Sequence, residues 1–216
     1  MEKATNQASF LQKHPIFKDF LSLVVFVGAV ALGTFLLNTF IFRSYNVVGG
    51  SMENTLLGDD RVIVNRLTVS WSHFLGHEFV PKRGEIIVFA NGESSGTMTC
   101  AAPKGIKDQY IIKRVIAFPG ERVTVKGGVM TVYNEEHPEG IVFDEEWRKS
   151  ETDGPKTYTS GEVDITVPEG ELFVSGDNLE GSNSYDSRNG LGTVPYCRVV
   201  GPISLRLFPL NRFRFF

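Results

Sequence analysis

Gly49-Gly50-Ser51-Met52-Glu53-Asn54-Thr55-Leu56 stands where the chain changes character. The residues over 20–42, just before it, carry no charge; those after it fall into short β-branched runs punctuated by Gly, Asp and Asn. A helix rises about 1.5 Å per residue, so the uncharged run is long enough to cross a hydrocarbon core of about 30 Å. It has no polar face, which argues against a buried core helix. It is too long for the apolar part of a secretory signal, and no clear small-x-small cleavage site follows it. The reading is a short polar segment over 1–19, a transmembrane anchor over 20–42 and a domain over 43–216. Lys3, Lys13 and Lys18 favour a cytoplasmic N-terminus, with Arg43 opposing them, and that orientation puts 43–216 outside.

Beyond the anchor the period becomes that of strands. Runs at 61–65, 85–89, 110–118, 122–125, 130–133, 162–167, 171–174 and 203–207 are β-branched or apolar and bounded by turn residues. Gly127-Gly128 between two of them is a hairpin signal. The expectation is a mainly β, antiparallel domain with long loops over 90–109 and 134–160 and no helix of ordinary length. The segment 122–170 reads as an insert, either a separate cap or an extension of the main sheet.

Composition narrows the function classes. A chain of 216 residues suits one compact domain plus an appendage. Its formal net charge of -3, with no basic patch, gives no footprint for nucleic acid. Cys100 and Cys197 lie in no CxxC or Cys/His metal spacing; a disulfide in an exported domain and two separate thiols both stay open. His73 and His77 are four apart, but no third ligand is spaced to join them and the segment lacks a helical pattern, so no metal is expected. His14 and His137 read as solvated, and Asp144-Glu145-Glu146, running into Trp147-Arg148-Lys149, reads as a solvated loop. The stretches 71–75 and 208–216 set Trp and Phe beside Arg, which suits a membrane interface. Taken singly, each ring more simply closes a β core.

Two residue types carry chemistry. Glycines ahead of Ser51 permit a tight turn and a close substrate backbone. Lys113 interrupts the apolar run over 110–118, and burial disfavours the charge of such an amine. A lysine neutral near pH 7 can take the proton of a serine hydroxyl. Against this stand a plain turn serine and a strand lysine on a solvent face.

Four blocks in order weigh against the plain reading. They are 51–56, then 58–65 (Gly-Asp-Asp-Arg-Val-Ile-Val-Asn), then 113–121 (Lys-Arg-Val-Ile-Ala-Phe-Pro-Gly-Glu), and finally Gly176-Asp177-Asn178 with 184–192 (Ser-Tyr-Asp-Ser-Arg-Asn-Gly-Leu-Gly). Together they resemble the bacterial type I signal peptidases (leader peptidases, peptidase S26), in their Gram-positive-like branch. The resemblance implies a signal-peptidase/LexA-like antiparallel β catalytic domain with a β insert behind a single transmembrane helix. It implies a membrane-bound serine endopeptidase that removes N-terminal signal peptides, cutting after small residues at −1 and −3, with no metal or organic cofactor. Ser51 would be the nucleophile, Lys113 the general base, and Ser184 the hydroxyl that orients the amine. The Ser51 N–H would serve the oxyanion hole, while Gly49 has no side chain to add there. Arg114 with Asp177 and Asp186 with Arg188 would be salt bridges supporting the site. By position, Val47, Met52, Leu56, Ile111 and Ile112 would wall the substrate pockets, although each can equally be core.

Two departures from the pattern concern Asn54, where proline is usual, and the extra residues 179–183, which make Ser182 a rival to Ser184. The implied partners are preproteins and the lipid bilayer, with no nucleic acid. The protein would be monomeric or associated with the secretion translocon, and located in the bacterial cytoplasmic membrane. A self-cleaving repressor-type protease shares the Ser–Lys core but would carry a DNA-binding domain where 1–42 stands. A narrow-substrate peptidase and an inactive anchored β scaffold are the remaining readings.

Overall fold

The computed structural model describes residues 15–53, 55–91, 100, 109–143, 159–179 and 183–216. Lys3, Lys13, His14, Asn54, Ser182 and the acidic cluster at 144–146 therefore lie outside the described residues. The chain divides between Ile41 and Phe42 into two units.

The first unit is helical. Helix α1 (Pro15–Leu36) runs into a π turn, Leu37–Ile41, and the stretch Ile16–Leu36 is long and apolar enough to cross a membrane. Phe20, Leu23, Val25, Phe26 and Phe35 are exposed along it, the reverse of a core helix.

The second unit is mainly antiparallel β. Its strands are β1 (Phe42–Asn46), β2 (Arg61–Asn65), β3 (Ile86–Asn91), β4 (Gln109–Ala117), β5 (Arg122–Lys126), β6 (Val129–Tyr133), β7 (Ile141–Val142), β8 (Val163–Thr166), β9 (Glu171–Ser175), β10 (Val194–Pro195), β11 (Val199–Phe208) and β12 (Arg214–Phe215). The larger sheet runs β1-β2-β11-β3-β4-β9-β10, with β12 on β11, and the smaller runs β7-β6-β5-β8. β11 joins the halves of the larger sheet: its first residues pair with β3 and its later ones with β2. The strands of 122–170 hydrogen-bond to one another and form a sheet of their own.

Side-chain alternation explains the core. In β2, Val62 and Val64 are buried while Arg61 is exposed, the period-2 pattern of a strand with one wet face. β3 is buried on both faces. Ile87 and Phe89 pack with Val115, Leu172 and Val174, whereas Ile86 and Val88 pack with Met52, Leu56, Val62 and Val64. A third cluster, Val123, Val125, Met130, Val132 and Phe143, fills the smaller sheet against Ile116 and Phe173. β4 thus touches all three clusters, which makes it the rigid element on which a site is best held.

Two expectations need correction, and the alternative left open for the cysteines is decided. The segment Leu67–Phe74 is a helix, α2, although no helix was expected there; Val69 is its buried residue. His77 lies past its end, so the two histidines do not share a helix. The rings of 71–75 and 208–216 do not close the core: Trp71, Phe74, Phe208, Phe213 and Phe215 are exposed, Phe74 at 80%. Cys100 and Cys197 form a disulfide, with Cα atoms 5.7 Å apart.

Candidate active site

The turn at Ser51 is held from both ends. Asp60 O accepts from Val47 N–H (2.8 Å) and Val47 O accepts from Asp59 N–H (3.1 Å), closing the loop between β1 and β2. Inside it, Glu53 N–H donates to Gly50 O (3.0 Å) and Leu56 N–H to Met52 O (2.8 Å), while Gly49 takes φ +83°. That positive φ is where glycine is needed. Met52 and Leu56 are almost wholly buried beside Val62 and Val64, so packing fixes a turn that leaves Ser51 half-buried.

Lys113 arrives from the middle of β4. Its Nζ donates to Ser51 Oγ at 2.7 Å and to Ile112 O at 3.0 Å, and the residue is only 3% exposed. Burial lowers its pKa to about 8; Asp186 pulls it back up, Arg188 pushes it further down, and Asp177 raises it slightly. Adjacent strand residues point to opposite faces, so Arg114 takes a separate role. It grips Asp177 through two bonds, Nε to Oδ1 (2.7 Å) and Nη2 to Oδ2 (2.6 Å), and donates to Gly84 O.

Asp186 is fully buried and saturated. It accepts from Gly176 N–H, from the Arg188 N–H, and from Arg188 Nε and Nη2. Arg188 Nη1 donates to Thr159 Oγ1 at 2.7 Å. Ser184 Oγ is buried with no hydrogen-bond partner among the described residues, so the bond to Lys113 expected of it is not made here. A methyl group on Gly176 would collide with both the Ser51 carbonyl oxygen and the Ser184 hydroxyl, which shows how closely these two pack.

A cleft of about 340 Å³ opens over these groups. Val47, Met52, Ile111 and Ile112 line it with Ser51 and Lys113. Leu56, expected among the walls, is fully buried in the core behind the turn instead, because it points toward β2. Tyr110, Asn183 and Tyr185 also line the cleft and escaped the sequence reading; their places beside Ile111 and Ser184 were the available signal. Two further devices were missed. Asn178 Nδ2 donates to Gly50 O and Asn178 N–H to Ser51 O, both at 3.0 Å. Behind the turn, Arg206 Nη1 donates to Thr55 O (2.8 Å), and buried Asp60 accepts from Arg212 Nη2 (2.6 Å).

The class is a serine peptidase, a hydrolase. A profile of the family "Signal peptidase, peptidase S26" matches residues 18–208. Signal peptidase I P of Bacillus subtilis subsp. natto is 35% identical over 184 residues, covering 83% of this chain and 84% of that protein. Signal peptidase I T of Bacillus subtilis strain 168 is 33% identical over 215 residues, covering 99% of this chain and 97% of that protein. The crystal structure of a signal peptidase I from Enterococcus faecalis shares 27% identity and covers 58% of this chain and 97% of that one, with a TM-score of 0.38. The chain belongs to the signal peptidase family, peptidase S26, and is a membrane-associated peptidase.

Proposed function

We propose that this protein removes N-terminal signal peptides from exported preproteins, using Ser51 as nucleophile and Lys113 as general base. The observation that carries the reading is the 2.7 Å bond between a buried Lys113 amine and the Ser51 hydroxyl. With its pKa lowered to about 8, a useful fraction of the amine is neutral at physiological pH. The neutral amine takes the Ser51 proton as Oγ attacks the scissile carbonyl carbon, and the Ser51 N–H stabilises the oxyanion. The ammonium then protonates the leaving amine, giving an acyl-enzyme and the mature protein's new N-terminus. Water, deprotonated by the same lysine, releases the signal peptide and restores Ser51.

Substrate binding follows from the sheet. β4 pairs with β3 over Gln109–Arg114 but meets β9 only from Arg114 onward. The 109–113 edge facing the cleft therefore has no strand beside it among the described residues. An extended signal-peptide end adds there as a strand. Ile111, Ile112, Val47 and Met52 offer apolar walls that favour small side chains at −1 and −3. Arg114–Asp177 and Asp186–Arg188 hold the frame, and the unpartnered Ser184 hydroxyl is free to receive the amine when it turns from Ser51.

The anchor α1 and the exposed rings at 71–75 and 208–216 fit a domain working at a bilayer surface. The Cys100–Cys197 disulfide fits an oxidising compartment, in keeping with a cytoplasmic N-terminus and an external catalytic domain. Detergent-solubilised protein should cleave an Ala-x-Ala preprotein after the second Ala, and Ser51→Ala and Lys113→Ala should not. Equal activity of Lys113→Ala would remove the lysine from the mechanism.

A further inference from the structure

We propose that Asn178 is a positioning residue that aims the Ser51 N–H at the developing oxyanion, an inference that rests on the reading of Ser51 as nucleophile. A trans peptide unit is planar, and its C=O and N–H point in opposite directions. Whatever holds Gly50 O therefore also decides where the Ser51 N–H points. Asn178 Nδ2 donates to Gly50 O at 3.0 Å, and the Asn178 N–H donates to Ser51 O at the same distance. One residue thus grips the peptide units on both sides of the nucleophile. The Ser51 N–H, at the far end of the first unit, donates to none of the described residues and is left for a ligand in the cleft.

The clamp is itself rigid. Asp177 before it is held by two bonds from Arg114, and Leu179 after it is buried in the third core cluster. Gly176, having no side chain, lets this segment approach the Ser51 backbone. The turn needs such a grip because Gly49 and Gly50 precede the nucleophile, and glycine permits backbone rotation that other residues resist. Apart from Asn178, the turn bond from Glu53 N–H is what holds Gly50 O among the described residues. A flip of that unit would turn the Gly50 carbonyl toward the oxyanion and replace attraction with repulsion. Asn178 Nδ2 also reaches Glu53 Oε2 at 3.4 Å, which steadies the amide orientation.

The test compares full-length parent, Asn178→Ala and Asn178→Asp in detergent, with an Ala-x-Ala preprotein as substrate and an Ala-x-Ala peptide aldehyde as inhibitor. The aldehyde adds to a serine hydroxyl as a hemiacetal whose oxygen occupies the oxyanion position. Both variants should lose kcat on the order of 100-fold, as when an oxyanion donor is removed. KM should stay within about twofold, and aldehyde affinity should fall in the same proportion as kcat. The pH midpoint should remain that of the parent, since Lys113 is untouched. The inference is overturned if either folded variant keeps kcat within about threefold of the parent. Loss appearing in KM alone, or aldehyde affinity unchanged while kcat falls, would overturn it as well. A parent that binds the aldehyde but leaves the preprotein intact would sink the substrate assignment, and aldehyde affinity would still decide the role of Asn178. A parent that does neither would remove Ser51 as nucleophile and this inference with it.

Discussion

Two ion-pair networks in this molecule have nearly the same bond lengths and very different surroundings. Beside the cleft, Arg188 Nη2 meets Asp186 at 2.6 Å with both side chains fully buried, and Arg114 Nη2 meets Asp177 at 2.6 Å with little exposure. On the smaller sheet, Arg122 meets Asp164 at 2.7 Å and Lys126 joins at 3.2 Å, but these side chains are 41–68% exposed. Water and salt screen the second set, so its pairing holds little. The first set has no water to fall back on, and removing one partner strands a charge. Contact distance alone therefore does not rank an ion pair; its surroundings do.

The difference in surroundings sets the size of each expected loss. The largest loss belongs to the cleft itself: Ser51→Ala should lower kcat on the order of 10⁶-fold, measured as preprotein cleavage, because without the nucleophile the rest of the machinery is idle. Asp186→Ala comes next. It leaves the buried Arg188 guanidinium unpaired and strips Gly176 N–H of its acceptor, and should destabilise the fold by about 3–5 kcal/mol in denaturant unfolding. A loss below about 1 kcal/mol would erase the distinction between buried and exposed pairs.

The buried lysine makes its own test. If neutral Lys113 is the base, kcat/KM should climb about tenfold per pH unit and level off above a midpoint near the amine's pKa of about 8. A flat profile between pH 6 and 9 would exclude it as the titrating base. Its pKa is lowered from 10.5, so between about 8 and 10.5 the unfolded chain binds a proton that the folded chain has released. Stability contributed by this group therefore rises with pH across that window, and below about 8 the full cost of burying the charge is present. Lys113→Met should consequently raise stability at pH 7 by up to about 3 kcal/mol while abolishing cleavage. The smallest effect belongs to the exposed network: Arg122→Ala should leave both cleavage and the denaturant midpoint unchanged.

Much of the fold was legible in local pattern. β2, β5, β6 and β9 lie where short β-branched or apolar runs are flanked on at least one side by Gly or Asp. Missed elements lacked such a signature. β1, Phe42-Arg43-Ser44-Tyr45-Asn46, has no apolar face of its own and exists as a strand through its register with Arg61–Asn65. Helix α2 carries Thr68, Val69 and Ser70, poor helix formers, and tertiary contacts override that propensity. β7, β10 and β12 are two-residue pairings that follow from their neighbours.

The amino-acid sequence by itself determined the uncharged span, the alternating strands, and the presence of one serine after glycines and one lysine in an apolar run. Only the tertiary structure decided what touches what. Ser51 and Lys113 are 62 residues apart in the chain, Gly50 and Asn178 are 128 apart, and the two cysteines 97. Hydrogen bonds tolerate only a few tenths of an ångström, and no local periodicity encodes such separations. The same reason explains Leu56, a plausible wall by position that the packing turned inward, and Ser184, whose hydroxyl the packing left buried beside Gly176.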